Sequence, residues 1–170
     1  MLRTPIKAVA FDWGNTLMRV FPEFEGPMVN WPKVEVIAGA AETLENLRPH
    51  YRLVLATNAM DSGPGEVERA LARVGIDGFF ELIYTAKHSG HRKDSPEFYR
   101  ALLELLGLHA SELLMVGDSY HPDVEVPAEA GCRTIWFNPE HKPCPSNPPR
   151  HAAVISHLGA LPAMLQAIAF

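Results

Sequence analysis

The chain has 170 residues, 47% of them hydrophobic and 21% charged, with a formal net charge of −5. That length and balance fit one globular domain, residues 1–170, able to bury a core without disulfides or a structural metal. The acidic balance argues against nucleic acid as the main partner, and no run approaches the roughly 20 apolar residues of a membrane span; with no leader pattern at the start, a cytoplasmic location is the expectation.

Strand-like and helix-like segments alternate along the chain. Ile6 to Phe11 is a short apolar run with β-branched members, read as a strand. Residues 18–37 follow as an irregular excursion punctuated by Pro22, Gly26, Pro27 and Pro32. Phe21, Phe24 and Trp31 lie on it and fit either a flap over a site or an exposed patch for a partner subunit. Ala38 to Leu47 has helical spacing, Arg52 to Ala56 is a second buried strand, and Glu66 to Val74 is helical with Gly75 behind it. Phe80 to Tyr84 is a third strand. Ser95 then caps a helix that begins at Pro96, runs through Leu106 and stops at Gly107.

The fourth strand is Leu113 to Val116, and a weaker helix over Val124 to Ala130 is interrupted by Pro127. Thr134 to Phe137 is a fifth strand. Residues 139–150 carry five prolines and read as a loop. Val154 and Ile155 add a short sixth strand, and Leu158 to Ala169 is a closing helix. Cys132 and Cys144 form no C-x-x-C pair; they read as one core thiol and one loop thiol, and His141 with Cys144 is too small a set for zinc.

Continuous apolar strands separated by helices indicate an α/β fold, a three-layer sandwich around a parallel sheet. Ligands of such sheets bind beyond the carboxyl ends of the strands. Asp12 follows the first strand, Thr57 and Asn58 end the second, and Gly117, Asp118 and Ser119 end the fourth, with Asp123 close behind. The loop after the third strand holds Lys87, His88, His91, Arg92 and Lys93. Clustered carboxylates repel unless a cation joins them. Oxygen ligands select a hard cation such as Mg²⁺, which accepts one or two carboxylates plus phosphate and water. A carboxylate can also attack phosphorus covalently, provided cations neutralise the approaching anion.

These segments resemble the four motifs of the haloacid dehalogenase superfamily. Asp12-Trp13-Gly14-Asn15-Thr16 resembles the first, Thr57 the second, Lys93 the third, and Gly117-Asp118-Ser119 with Asp123 the fourth. The resemblance runs from about residue 6 to 138 and implies a Rossmann-like, nearly capless hydrolase of the phosphatase type, with a small flap in place of a cap domain. It implies that Asp12 is the nucleophile and that Asp12, the Gly14 carbonyl, Asp118 and Asp123 hold Mg²⁺. It further implies that Thr57, Asn58 and Lys93 hold the phosphoryl group of a substrate. An open site suits a small phosphorylated substrate or a bulky one, or is closed by a homo-oligomer; neither nucleic acid nor membrane is expected as a partner.

One position departs from the pattern. Family phosphatases have an aspartate two residues after the nucleophile as acid and base, and Gly14 stands there. General acid–base help is typically worth about 10²–10⁴ in rate. The readings left open are an atypical phosphatase, carbon–phosphorus cleavage, dehalogenation, and a phosphate-binding or regulatory protein with little turnover. The segment before Ala38 is too short for the helical cap of the second reading, and the Asp118 and Asp123 pair speaks against the metal-free third.

Overall fold

The computed structural model describes residues 4–150 and 152–168. Six strands form one wholly parallel sheet: β1 (Ala8–Phe11), β2 (Arg52–Thr57), β3 (Leu82–Thr85), β4 (Leu113–Gly117), β5 (Arg133–Phe137) and β6 (Ala152–Ile155), in the order β3-β2-β1-β4-β5-β6. Parallel strands need crossovers, and the crossovers place helices on both faces. This is why the central strands are apolar on every residue: β1 is buried throughout.

The two faces carry separate cores. On one, Val9, Phe11, Leu53, Leu55, Leu114, Val116, Ile135 and Phe137 meet α1 (Ala40–Leu47), α2 (Pro64–Ala72) and α6 (Leu161–Ile168). On the other, Ala8, Ala10, Val54, Ala56 and Met115 meet α4 (Pro96–Leu106) through Phe98, Tyr99 and Leu102. The short α3 (Ala86–Ser89) and α5 (Val126–Glu129) complete the crossovers. The chain moves outward from β1 to β3, then returns to the far side of β1 to add β4. The strand order therefore reverses beside β1, and a crevice opens at the carboxyl ends of β1 and β4.

Most predicted elements are found within a few residues of their expected bounds, and Val154 and Ile155 do lie on a sixth strand. Helix α4 begins and ends as its sequence directs. The Ser95 hydroxyl accepts from the Glu97 N–H, Pro96 opens the first turn, and Gly107 at φ 66° stops it. Three differences are informative. Helix α2 starts earlier, at Pro64, because the Glu66 carboxylate accepts the Gly63 N–H at 2.6 Å and caps the turn. The expected helix over Val124 to Ala130 is a π-helical turn, His121–Glu125, followed by α5. Pro127 has no N–H to give the Asp123 carbonyl, so the regular ladder cannot run through this segment.

The third difference is the excursion over residues 18–37. Its aromatic side chains form neither a flap nor an exposed patch; they turn inward. Phe21, Met28 and Trp31 are buried in the same core as α1 and α2, with Phe24 packed against them. The Trp31 indole N–H donates to the Glu25 and Gly26 carbonyls at 3.2 and 2.9 Å. Arg73 closes the far side by donating to the Val29 and Trp31 carbonyls at 3.1 and 2.7 Å. Trp31→Ala is therefore expected to destabilise the fold by about 3 kcal/mol in urea unfolding, as for a buried aromatic. A change below about 0.5 kcal/mol, as on an ordinary surface, would return Trp31 to the role of an exposed patch.

Candidate active site

Parallel β1 and β4 end side by side, so Asp12 and Asp118 emerge as neighbours at the crevice. Asp123 joins them from the π-helical turn. Oxygens of Asp12, Asp118 and Asp123 lie within 4.8 Å of one another. Among the described residues this is the one group of three or more His, Cys, Asp or Glu side chains close enough to hold a metal ion. His141 and Cys144 take no part in such a group.

A single ammonium enters the cluster. Lys93 Nζ donates to Asp12 Oδ1 at 2.5 Å, Asp123 Oδ1 at 2.7 Å and the Ala56 carbonyl at 3.0 Å. An ammonium has three protons, and all three are engaged. Lys93 is 2% exposed. Burial would discharge it, but Asp12 and Asp123 more than offset that and hold its pKa above the ordinary lysine value. Its backbone is seated separately: the Lys93 N–H donates to Asn58 Oδ1 at 2.7 Å. Asn58 thus acts on the loop that carries the lysine.

Three carboxylates against one ammonium leave an excess of two negative charges when all are ionised. Desolvation, followed by the charges of Asp12 and Asp123, raises Asp118 to about 7. Burial likewise raises Asp123, with Lys93 pulling in the opposite direction. Buried carboxylates with raised pKa, all offering oxygen, are the donor set that a hard divalent cation fits.

Thr16 stitches the site together. Its hydroxyl lies 3.2 Å from Asp12 Oδ2 and 3.3 Å from Asp118 Oδ1, and it accepts the Asp118 N–H at 3.1 Å. The Trp136 indole donates to the Asp118 carbonyl at 3.0 Å, fixing the other side of that residue. The Tyr99 hydroxyl donates to the Pro122 carbonyl at 2.6 Å and anchors the turn beside Asp123. Sequence reasoning assigned no role to Trp136 or Tyr99, whose partners lie on other elements; Thr16 was visible as a motif residue whose hydroxyl had no assigned task. Thr57 sits buried at the end of β2, and its hydroxyl accepts the Ala59 N–H at 3.2 Å.

Residues 4–137 match the haloacid dehalogenase-like hydrolase family. The chain belongs to this family. Among its relatives, the glyceraldehyde 3-phosphate phosphatase of Pyrococcus abyssi is 32% identical over 102 residues, covering 59% of this chain and 42% of that protein. The N-acylneuraminate-9-phosphatase of Mus musculus is 32% identical over 127 residues, covering 74% of this chain and 50% of that protein. The chain thus spans about half the length of the curated relatives it matches. An uncharacterized protein from Listeria monocytogenes serotype 4b superposes with a TM-score of 0.85 at 25% identity, covering 96% of this chain and 98% of that one. The HAD-hydrolase YfnB from Bacillus subtilis, solved bound to magnesium, superposes with a TM-score of 0.78 at 17% identity, covering 95% and 99%. No helix among the described residues is long and apolar enough to cross a membrane.

Two of the site's features in this family member are directly testable. A Cβ on Gly117 would stand 2.2 Å from Asp123 Oδ2 and 2.3 Å from its Cγ. Gly117→Ala must therefore displace Asp123, and metal affinity measured by calorimetry is expected to fall at least about tenfold, the second-shell scale. The raised carboxylate pKa values give a pH dependence. A carboxylate whose folded pKa lies above its unfolded value of about 4 contributes stability that is present in acid and lost as pH rises. Metal-free protein therefore loses that contribution up to pH about 7, where Asp118 ionises. Because the cation competes with those protons, added Mg²⁺ is expected to raise Tm more at pH 8 than at pH 5.5. An equal rise at both would place the bound metal elsewhere.

Proposed function

We propose that the chain is a Mg²⁺-dependent phosphatase that works through an aspartyl-phosphate on Asp12. The observation that carries this reading is the trio of carboxylates, Asp12 and Asp123 buried and Asp118 half-buried, around a single lysine at the reversal of strand order. The phosphatases among the relatives favour a small phosphorylated substrate, or a bulky one given the lack of a cap domain. In this reading residues 1–170 act as one domain.

Asp12, Asp118, Asp123 and the Gly14 carbonyl would hold Mg²⁺, which when bound supplies charge neutralisation for an approaching phosphoryl group. Asp12 attacks phosphorus with a carboxylate oxygen, and the bond from phosphorus to the leaving oxygen breaks. Lys93, already against Asp12, offsets the charge gathered there, and the Thr57 hydroxyl and Asn58 amide bind phosphoryl oxygens. Water then attacks phosphorus, frees Asp12 and yields phosphate. The carboxylate trio is part of the machinery throughout, whatever the substrate.

Leaving groups must depart without help from residue 14. Gly14 has no side chain, and the space a Cβ would take is closed: Val20 Cγ2 lies 2.8 Å from that point. Asn15, left-handed at φ 57°, accepts the Val20 N–H at 2.9 Å and holds the valine there. The same observation favours a second reading, a phosphate-binding or regulatory protein with little turnover.

Hydrolysis of an aryl phosphate with Mg²⁺ tests the proposal. Turnover abolished by Asp12→Asn supports the aspartyl-phosphate; no turnover in the wild type, with phosphate binding retained, supports the second reading. Gly14→Asp alone must displace Val20 and is expected to gain little on alkyl phosphates. Gly14→Asp with Val20→Ala opens the space and is expected to raise that activity about tenfold or more. A gain from the single variant equal to that from the pair would remove Val20 from the account.

A further inference from the structure

The proline-rich segment after β5 is tied to the site by its first residues. Asn138 is buried directly beyond the carboxyl end of β5. Its N–H donates to the Ile155 carbonyl of β6 at 2.7 Å. Its side chain closes a ring on Lys142: the amide accepts the Lys142 N–H and donates to the Lys142 carbonyl, both at 2.9 Å. His141 takes the left-handed conformation at φ 52°, and its N–H reaches the Asn138 carbonyl at 3.3 Å. Prolines at 139 and 143 flank this turn and restrict its backbone. The backbone of an exposed lysine is thereby held by a buried amide bound to the sheet, which a merely solvated loop does not require.

The turn lies on the Asp118 side of the crevice. Residue 136, two before Asn138, holds the Asp118 carbonyl through its indole. The hydrogen bond and charge of Glu140 raise the Lys142 pKa, with the Asp118 charge a minor addition. Among the described residues the Lys142 ammonium is paired with Glu140 alone, at 2.9 Å, and both side chains are well exposed. Such a surface pair contributes little and opens at little cost. Lys93, by contrast, has all three protons engaged inside the site.

We propose that Lys142 determines specificity by pairing with a second anionic group on the substrate, a carboxylate or phosphate carried by the part that leaves. The inference rests on the phosphatase reading above. Asn138 is the positioning residue that sets the lysine at the rim, and Glu140 is the internal anion that the substrate displaces. The substrate class is then a phosphate ester bearing a further negative charge, and selection comes from the loop after β5 in place of a cap domain.

The test compares phenyl phosphate with carboxyphenyl phosphate, which differ by the added carboxylate, in the full chain with Mg²⁺. The quantity read is the ratio of kcat/KM for the charged substrate to that for the uncharged one. Lys142→Ala is expected to lower this ratio about tenfold, the worth of one charge-assisted hydrogen bond, chiefly through KM. Lys142→Glu lowers it further, Glu140→Gln raises it, and salt shrinks the wild-type preference. A ratio unchanged in the Lys142 variants, with both substrates still turned over, overturns this inference and leaves the phosphatase reading standing. Absence of turnover on both substrates in the wild type overturns the phosphatase reading and this inference with it.

Discussion

The structure turns on one buried ammonium among three carboxylates. Lys93 brings Asp12 and Asp123 together, yet it cannot neutralise the set. Removing either partner from such a buried pair typically costs about 3–5 kcal/mol, because the remaining charge has no water to turn to. The protein therefore invests in support around it. Asn58 seats the Lys93 backbone, Thr16 spans Asp12 and Asp118, and Trp136 holds Asp118 from behind. What remains is a defined deficit of positive charge at one point, where the carboxylate oxygens are close enough to hold a cation.

The fold supplies that point economically. Reversal of strand order beside β1 leaves the ends of β1 and β4 uncovered by a crossover, so their terminal aspartates meet. Asp123 comes from a different kind of structure. Pro122 sits in the first turn, Pro127 breaks the ladder beyond it, and the wider π-helical turn brings its carboxylate against Gly117. The missing Cβ of Gly117 and the broken helix are two halves of one arrangement. Tyr99 links it to α4, the helix that follows the Lys93 loop, so both partners of Asp12 rest on the same packed layer.

Much of this was legible in the chain. Continuous apolar runs marked the parallel strands, and the residues following them included Asp12, Thr57, Lys93, Asp118 and Asp123. What was not legible were arrangements that depend on the third dimension. The pattern of Phe21 and Trp31 in a proline-rich stretch has no period, so nothing in it tells an exposed patch from a segment folded back onto the core. Asn58 beside Thr57 suggested substrate contact, but that its amide oxygen also accepts the Lys93 N–H left no mark in the chain. Asn138 stood between the fifth strand and the proline-rich loop with no role assigned, since a ring closed over four residues leaves no mark in composition.

Gly14 illustrates the same limit at the point where chemistry depends on it. In the sequence it is a deletion: a side chain with a proton to give is missing. In the structure the position is closed by Val20, held in place by the amide of Asn15. A vacant position would admit water, and water could relay a proton to a departing alkoxide. Under the phosphatase proposal, a methyl group at that point leaves less room for such a water, which favours leaving groups stable as anions. A leaving portion that carries its own charge to Lys142 would be oriented from the segment that follows β5. On the two proposals above, orientation of a charged departing group by Lys142 would stand in for its protonation at residue 14.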